Sequence, residues 1–502
     1  MWSKKSAKPL NSQFHVFAKD YIREEKMKPH VTLVNAPYPT KALQHPPFPP
    51  LGLGYLAAVL EKNGFPVDVI DCQALRLTSE GFRHQIGKRR PSLVGFTATT
   101  RTYKSALQIA TIAKQVHPKC ITALGGPHAT FWDKEALNEC PELDVIVRKE
   151  GENTLLELMK RIEKGKSYYD VVGTTCRKGA EIVRNPDRPY IENLDELPFP
   201  ARHLWPLDVL RKYEDVFYLT TSRGCVYWCE FCAAVRMFGR RYRFRSAKNV
   251  VDELEFLNKT YNATQFTFCD DAFTVDQPRT EELCRAIRSR GLKIKWNCGT
   301  RVDMITKELL IKMRAAGCVS VWFGVESGSQ HVLNEMRKGI STEQTIRAIG
   351  WVRELGLKPV PNVLIGFPGE TEESAWRTIK FAEKISPDEV AFFNIATPLP
   401  GTPMFDMVRE NRWVRIFDFD MYDCATPIFE TPTLNLKQVA ELYQQAFQSF
   451  YFRPTYLPRM FAKGPTYGFS ATRKVLYQFV NAIRTGTLAS TIRSRIKYSK
   501  LK

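Results

Sequence analysis

The chain has 502 residues, 44% hydrophobic and 25% charged, with a formal net charge of +20 at pH 7. That length and composition exclude a disordered chain and imply two or three domains with cores of their own. No run of about eighteen apolar residues occurs, which excludes a helix crossing a membrane. The first 29 residues lack the apolar stretch of a secretory signal and are expected to form a basic leader, so the chain is expected in the cytoplasm.

In chain order, residues 30–165 alternate between strand and helix. VTLVNA (Val31–Ala36) reads as a strand, and a Pro-rich loop around His45 follows it. LGLGYLAAVLEKNG reads as a helix closed by Gly64, and FPVDVID as a second strand. SLVGFTATT, CITALGG and DVIVRKEGE are further strands, with helices at SALQIATIAKQVH and NTLLELMKRIEKG. This alternation predicts an α/β domain with a doubly wound parallel sheet. Such sheets bind ligands at the carboxyl ends of their strands, which here carry Thr97, Gly125-Gly126-Pro127-His128 and Glu150-Gly151-Glu152. Residues 166–212 are expected to be a connector. From 213 to 434 a second series of strands (VFYLTTS, TQFTFCD, KIKWNCG, SVWFGVE, PVPNVLIG, EVAFFNIA) predicts a partial (β/α)6 barrel. Residues 435–502 are expected to be helical and basic. No Asp or Glu follows Glu441, and eleven Lys and Arg fall between Tyr451 and Lys502. Such a block suits an anionic membrane surface, or a solvated cap packed on the barrel.

Three of the twelve cysteines are clustered in Thr221-Ser-Arg-Gly-Cys225-Val-Tyr-Trp-Cys229-Glu-Phe-Cys232. Thiolates four and three residues apart can close around one centre, and soft sulfur favours an iron–sulfur cluster or zinc. A structural zinc site takes four protein ligands. Three local ligands therefore leave either an open metal position or a remote fourth ligand.

This CxxxCxxC loop, with Phe231 before its last cysteine, resembles the signature of the radical S-adenosylmethionine (SAM) superfamily. The resemblance implies a 4Fe-4S cluster on Cys225, Cys229 and Cys232. Its fourth iron chelates SAM, which is cleaved on reduction to methionine and a 5′-deoxyadenosyl radical. A flavodoxin- or ferredoxin-type electron donor is then expected. Five strand-end residues are expected around SAM: Asp270 and Asp271 in FCDDAFT, Arg301 in WNCGTRVD, Glu326 in GVESGSQ and Gly366 in VLIGFPGETEES. Many family members have Gly-Gly-Glu where this chain has the two aspartates. An exposed acidic loop there and a structural ion pair at Arg301 are the alternatives.

Residues 30–165 resemble the cobalamin-binding domain that precedes the barrel in one class of the superfamily. The matching pieces are PPFPPLGLGYLAAVLEKNGFPVDVID, VGFTATT, LGGPHAT and the EGE turn, which makes Thr97, Gly125, Gly126 and Glu150 the expected cobalamin contacts. No Asp-x-His-x-x-Gly motif is present, and His45 and His128, each beside a proline, read as structural rather than as cobalt ligands. The resemblance implies cobalamin-dependent methylation of an unactivated carbon in a hydrophobic lipid or tetrapyrrole-like substrate. It also leaves open ring closure, oxidation or carbon–carbon coupling without methyl transfer. A transfer-RNA-modifying enzyme is a further alternative. The second three-cysteine domain and RNA-binding module usual in that group are not visible, so nucleic acid is not an expected partner.

Overall fold

The computed structural model describes residues 28–39, 47–386, 390–453, 456 and 487–498. His45, the leader to residue 27 and most of the basic tail lie outside the described residues.

The first sheet has five parallel strands: β1 Val31–Asn35, β2 Val67–Asp71, β3 Leu93–Thr97, β4 Ile121–Gly125 and β5 Val145–Val147. They lie in the order β2-β1-β3-β4-β5. Strands covered on both faces must be apolar on both, and β1 and β5 are buried at every position. Val31, Leu33 and Leu93 pack under the helices Leu51–Lys62 and Glu152–Glu163. Val34, Val94 and Phe96 pack on the other face under the helix Tyr103–Val116. One correction concerns the expected connector. Its first part forms β6 Thr174–Lys178 and β7 Glu181–Arg184, an antiparallel hairpin that completes this sheet against β5. The hairpin escapes a pattern search because β7 is polar and lies at the sheet edge.

The second sheet is a half-barrel of six parallel strands. These are β8 Phe217–Leu219, β11 Gln265–Phe268, β12 Lys295–Thr300, β13 Cys318–Glu326, β14 Lys358–Ile365 and β15 Phe392–Ile395, in the order β15-β14-β13-β12-β11-β8. All six expected strands are present, and two short ones, β9 Ser222–Arg223 and β10 Arg243–Phe244, form an antiparallel pair beside them. Alternate residues on the convex face, such as Phe268, Trp296, Val321, Phe323 and Val363, are buried under the surrounding helices in one core.

The two sheets do not have wholly separate cores. Val34, Phe96 and Leu124 of the first sheet share a cluster with Met336, Phe367, Met404, Phe405 and Phe419 from the barrel and the segment after it. Burying one apolar face against the other fixes the orientation of the halves. A buried ion triad adds direction. Glu253, fully buried on the helix Ala247–Tyr261, accepts from Arg202 Nη1 at 2.6 Å and Arg245 Nη1 at 2.5 Å. Among the described residues no helix is long and apolar enough to cross a membrane.

Glu253→Ala leaves two guanidinium groups buried without their shared carboxylate and is expected to cost about 3–5 kcal/mol of stability, measured by urea unfolding. Burial alone raises the Glu253 carboxyl, but Arg202 and Arg245 outweigh it and hold the group below its usual range. The triad's contribution is therefore present above the unfolded carboxylate pKa and is lost as pH falls through the lower folded value.

Candidate functional site

β8 delivers the chain to the three-cysteine loop, and the residues leading to Cys225 are tied down. Asp270, just past the end of β11, accepts from Thr221 N at 2.6 Å, from Ser222 Oγ at 2.7 Å and from the Thr221 hydroxyl. Asp271 accepts from Gly224 N at 3.2 Å. Gly224 has φ +93°, and a Cβ there would lie 2.4 Å from Arg241 O, so only glycine makes this turn.

Arg223 is gripped from the other sheet. Its Nη1 lies 3.0 Å from Glu150 Oε1 and its Nη2 2.6 Å from Glu152 Oε1. Arg243 of β10 binds the same Glu150 at 2.9 Å and 3.0 Å, and Ile191 N donates to Glu150 Oε2 at 2.8 Å. All four charged groups are buried. The planar forks of two arginines match two carboxylates, which is what makes burial of four charges tolerable.

Beyond the first cysteine the loop is stitched to the barrel. Glu230 N donates to Met336 O at 3.0 Å, and Met404 N donates to Glu230 O at 2.8 Å. Arg301, at the end of β12, stacks on Tyr227 with its guanidinium carbon 3.5 Å from the ring centroid. It forks onto Asp303 at 2.9 and 3.0 Å, donates to Lys338 O at 2.6 Å, and points Nη1 at Cys229 Sγ, 3.9 Å away. Lys338 Nζ in turn lies 2.7 Å from Glu326 Oε1. Glu326 sits at φ +61°, a strained conformation for a residue with a side chain, held by this buried ion pair. Burial raises all three loop thiols, Cys232 to about 12, so a cationic centre is needed to hold them as thiolates. Among the described residues no three His, Cys, Asp or Glu side chains converge as a single-ion site. A cluster of several irons spreads its thiolates over different metals, and this donor set fits one.

A cavity of about 350 Å³ lies between the loop and the first sheet. Its first wall is the carboxyl ends of β1, β3, β4 and β5, including Thr97, Gly125, Gly126 and Glu150. Its second wall is Ser222, Arg223, Met237, Phe238, Cys269 and Asp271 of the barrel. The order 2-1-3-4-5 reverses direction between β1 and β3, which is where such sheets open a crevice. The lining is mainly apolar, as a large flat macrocycle requires, and Gly52 in it has open space where a Cβ would project. No histidine of the described residues lines it. His128 is buried against Tyr103, Trp132 and Phe419, with its ring centroid 4.1 Å from that of Tyr103, and burial lowers its pKa to about 3. This mainly apolar lining fits a corrin.

The structure thus gathers the expected residues into three groups. Cys229, Arg301 and, through Lys338, Glu326 form one network. Thr97, Gly125, Gly126 and Glu150 line the cavity, although Glu150 is committed to two arginines. Gly126 (φ +95°) admits no side chain, because a Cβ there would lie 2.7 Å from Ala98 O. Of the two aspartates, Asp270 is spent on the loop. Asp271 faces the cavity, its carboxyl raised to about 6 by desolvation and by Asp270. Gly366 stands apart: its N–H donates to Glu370 at 2.5 Å, and a Cβ on it would strike Val439 at 2.8 Å. Pattern reading misses Arg223, Arg243 and Cys269. Arg223 was legible only as a charged residue two places before a cysteine.

The radical SAM superfamily model matches residues 219–382, and the B12 binding domain model matches residues 45–159. An uncharacterized methyltransferase of Pyrococcus horikoshii is 36% identical, over 82% of this chain and 89% of its own length. The anaerobic magnesium-protoporphyrin IX monomethyl ester cyclase of Rubrivivax gelatinosus is 31% identical, over 83% and 76%. Among solved structures, the cobalamin-dependent SAM radical enzyme OxsB with aqua-cobalamin bound aligns with TM-score 0.70 at 21% identity, over 92% of this chain and 72% of that one. The radical SAM methyltransferase TsrM of Kitasatospora setae, with cobalamin and a [4Fe-4S] cluster bound, gives 0.65 at 22%, over 77% and 75%. The chain belongs to the radical SAM superfamily, in the branch that carries a B12 binding domain ahead of the barrel.

Arg223→Ala leaves Glu152 buried without its arginine and Glu150 with Arg243 as its remaining cation, and is expected to destabilise the protein by about 3–5 kcal/mol in urea unfolding. Exchanging the charges, with Arg223→Glu and Glu152→Arg together, is expected to recover part of that loss.

Proposed function

We propose that this chain is a cobalamin-dependent radical SAM methyltransferase acting on an unactivated carbon of a largely apolar substrate. One observation carries the reading: the loop of three cysteines and the B12-domain cavity share a wall, built from Ser222, Arg223, Cys269 and Asp271. When bound, the four-iron cluster, SAM and cobalamin supply the electron, a primary carbon radical and a transferable methyl group. In this reading Cys225, Cys229 and Cys232 hold the cluster, and Arg301 orients Cys229 and screens its charge. The pair Glu326–Lys338 and the carboxylate of Asp271 bound the SAM side, while Thr97 and Gly125 border the corrin. An external one-electron donor of flavodoxin or ferredoxin type reduces the cluster. The second reading is ring closure without methyl transfer, favoured by the likeness to the Rubrivivax cyclase across 83% of the chain.

Anaerobic reconstitution with iron, sulfide and cobalamin, followed by dithionite and methyl-labelled SAM, tests both readings. Methylation yields 5′-deoxyadenosine, S-adenosylhomocysteine and labelled product in a lipid and pigment extract. Deoxyadenosine without label transfer favours ring closure. Replacing the three cysteines by alanine is expected to abolish cluster absorbance and deoxyadenosine formation, and four-iron absorbance in that variant would remove them as ligands.

The reading extends to a peripheral site on the inner, anionic face of a membrane. The helix Thr487–Lys497 exposes Ile492 (51%) and Ile496 (69%) one turn apart, beside Arg493 and Lys497. An apolar ridge flanked by cations suits insertion at lipid headgroups. Ile492→Ser with Ile496→Ser is expected to release the protein from vesicles containing phosphatidylserine in a flotation assay.

A further inference from the structure

The turn that follows β12 carries three side chains that meet in front of the cysteine loop. Arg301 leaves the strand with extended backbone (φ −97°, ψ 151°), and a short turn, Val302–Met304, follows it. That turn returns Asp303 to the guanidinium of Arg301, where it accepts two hydrogen bonds, and brings Met304 Sδ to 3.1 Å from the Tyr227 hydroxyl. Tyr227 lies between Cys225 and Cys229 in the chain, and its ring carries the guanidinium carbon 3.5 Å from its centroid. Four of the five N–H groups of Arg301 are thereby committed: two to Asp303, one to Lys338 O, and one, on Nη1, to Cys229 Sγ at 3.9 Å. A bidentate clamp on the carboxylate of SAM needs two free N–H groups on one edge, and Arg301 keeps only one.

The pair is oriented. Asp303 holds the Nε–Nη2 edge of the guanidinium, and Nη1 at its other end meets the sulfur. Cys229 therefore faces the positive end of the pair, with the compensating carboxylate behind it. Arg301 is buried and the Asp303 side chain is only 13% exposed, so water does little to screen this dipole. Burial raises the Cys229 thiol, and the cations of Lys338 and Arg301 pull it back down. Lys338 is neutralised by Glu326 at 2.7 Å and makes no hydrogen bond to the sulfur among the described residues, whereas Arg301 makes one.

We infer that Arg301 is a potential-setting residue: aimed at Cys229 by Tyr227 and Asp303, it stabilises the added negative charge of the reduced cluster and raises its reduction potential. This rests on the radical SAM reading and adds to it how the redox step is tuned. Hydrogen bonds to a cluster's sulfurs and the net charge beside it are the levers a protein has on that potential. In the step itself the flavodoxin- or ferredoxin-type donor loses one electron and the cluster gains it. Arg301 makes and breaks no bond and keeps its proton. Its role is positioning charge, and Asp303 opposes it, so neutralising the two residues moves the potential in opposite directions.

The test is a redox titration of the full-length protein, reconstituted anaerobically with iron and sulfide and poised with dithionite and mediator dyes. The reduced cluster is followed by its electron paramagnetic resonance signal, and iron per chain is measured in every sample. At a fixed poise, Arg301→Gln is expected to lower the ratio of reduced to oxidised cluster about tenfold, which is about 59 mV for a one-electron couple. Asp303→Asn is expected to raise the ratio. Arg301→Gln together with Asp303→Asn leaves no unpaired buried charge and is expected to lower the ratio less than Arg301→Gln alone. If Arg301→Gln fails to hold iron, the Asp303→Asn and double variants still decide the sign. Variants that load iron but titrate as the wild type does overturn the inference. So does a shift of the same sign in Arg301→Gln and Asp303→Asn, which would mark a disturbed loop and not a charge effect. Wild-type protein that forms no four-iron cluster, or forms one and cleaves no SAM, counts instead against the radical SAM reading.

Discussion

The grip of Glu150 and Glu152 on Arg223 is the constraint on which the rest of the molecule depends. Arg223 stands two residues before Cys225, and its partners follow the last parallel strand of the first sheet, Glu150 in the loop and Glu152 at the start of the helix Glu152–Glu163. A single guanidinium thus joins the end of one sheet to the loop at the mouth of the other. Both carboxylates and both arginines are buried, so any shift of one sheet against the other leaves a charge in a poorly solvating interior. The arrangement admits one geometry, because the planar fork of arginine reaches two carboxylates at once in a way an ammonium on a flexible stem does not.

That geometry places two reaction partners side by side. The crevice of the first sheet opens at its β1/β3 switch point, and the half-barrel opens at its carboxyl ends. The ion cluster turns these openings toward each other, and the shared core around Phe96, Met404 and Phe419 holds them there. The Cys269 and Asp271 side chains belong to the barrel by sequence and to the cavity by position. Arg301 acts in the same spirit on the other flank: by stacking on Tyr227, forking onto Asp303 and reaching Cys229, it fixes the middle of the cysteine loop. Around these contacts the strained Glu326 survives because Lys338 binds its carboxylate.

The six barrel strands and the five parallel strands of the first sheet were legible because each is a short apolar or alternating segment bounded by loop residues. The cysteine loop was legible from spacing alone. The hairpin Thr174–Arg184 was not, since its edge strand EIVR is polar and carries no alternating signal. The expected site residues stand near strand ends, as their positions in the sequence imply, but they differ in role. Asp270 reads as a free carboxylate at a strand end, yet three hydrogen bonds from the loop consume it. Gly366 reads as a point of ligand approach, yet Val439 of the helix Leu436–Tyr451 is what excludes a side chain there. His128 sits beside a glycine pair at a strand end, where ligands approach, yet it is sealed among aromatic rings.

The sequence by itself determined the two α/β halves, the strand ends at which chemistry can occur and the three thiols that can share a metal centre, because strand periodicity and ligand spacing are local properties of a chain. Only the tertiary structure decided which strand-end residues face open space and which are spent as struts, and that the two halves share one wall. Those outcomes depend on partners distant in the chain: a carboxylate becomes a ligand or a strut according to what the fold carries within hydrogen-bonding distance of it, and no local pattern records that.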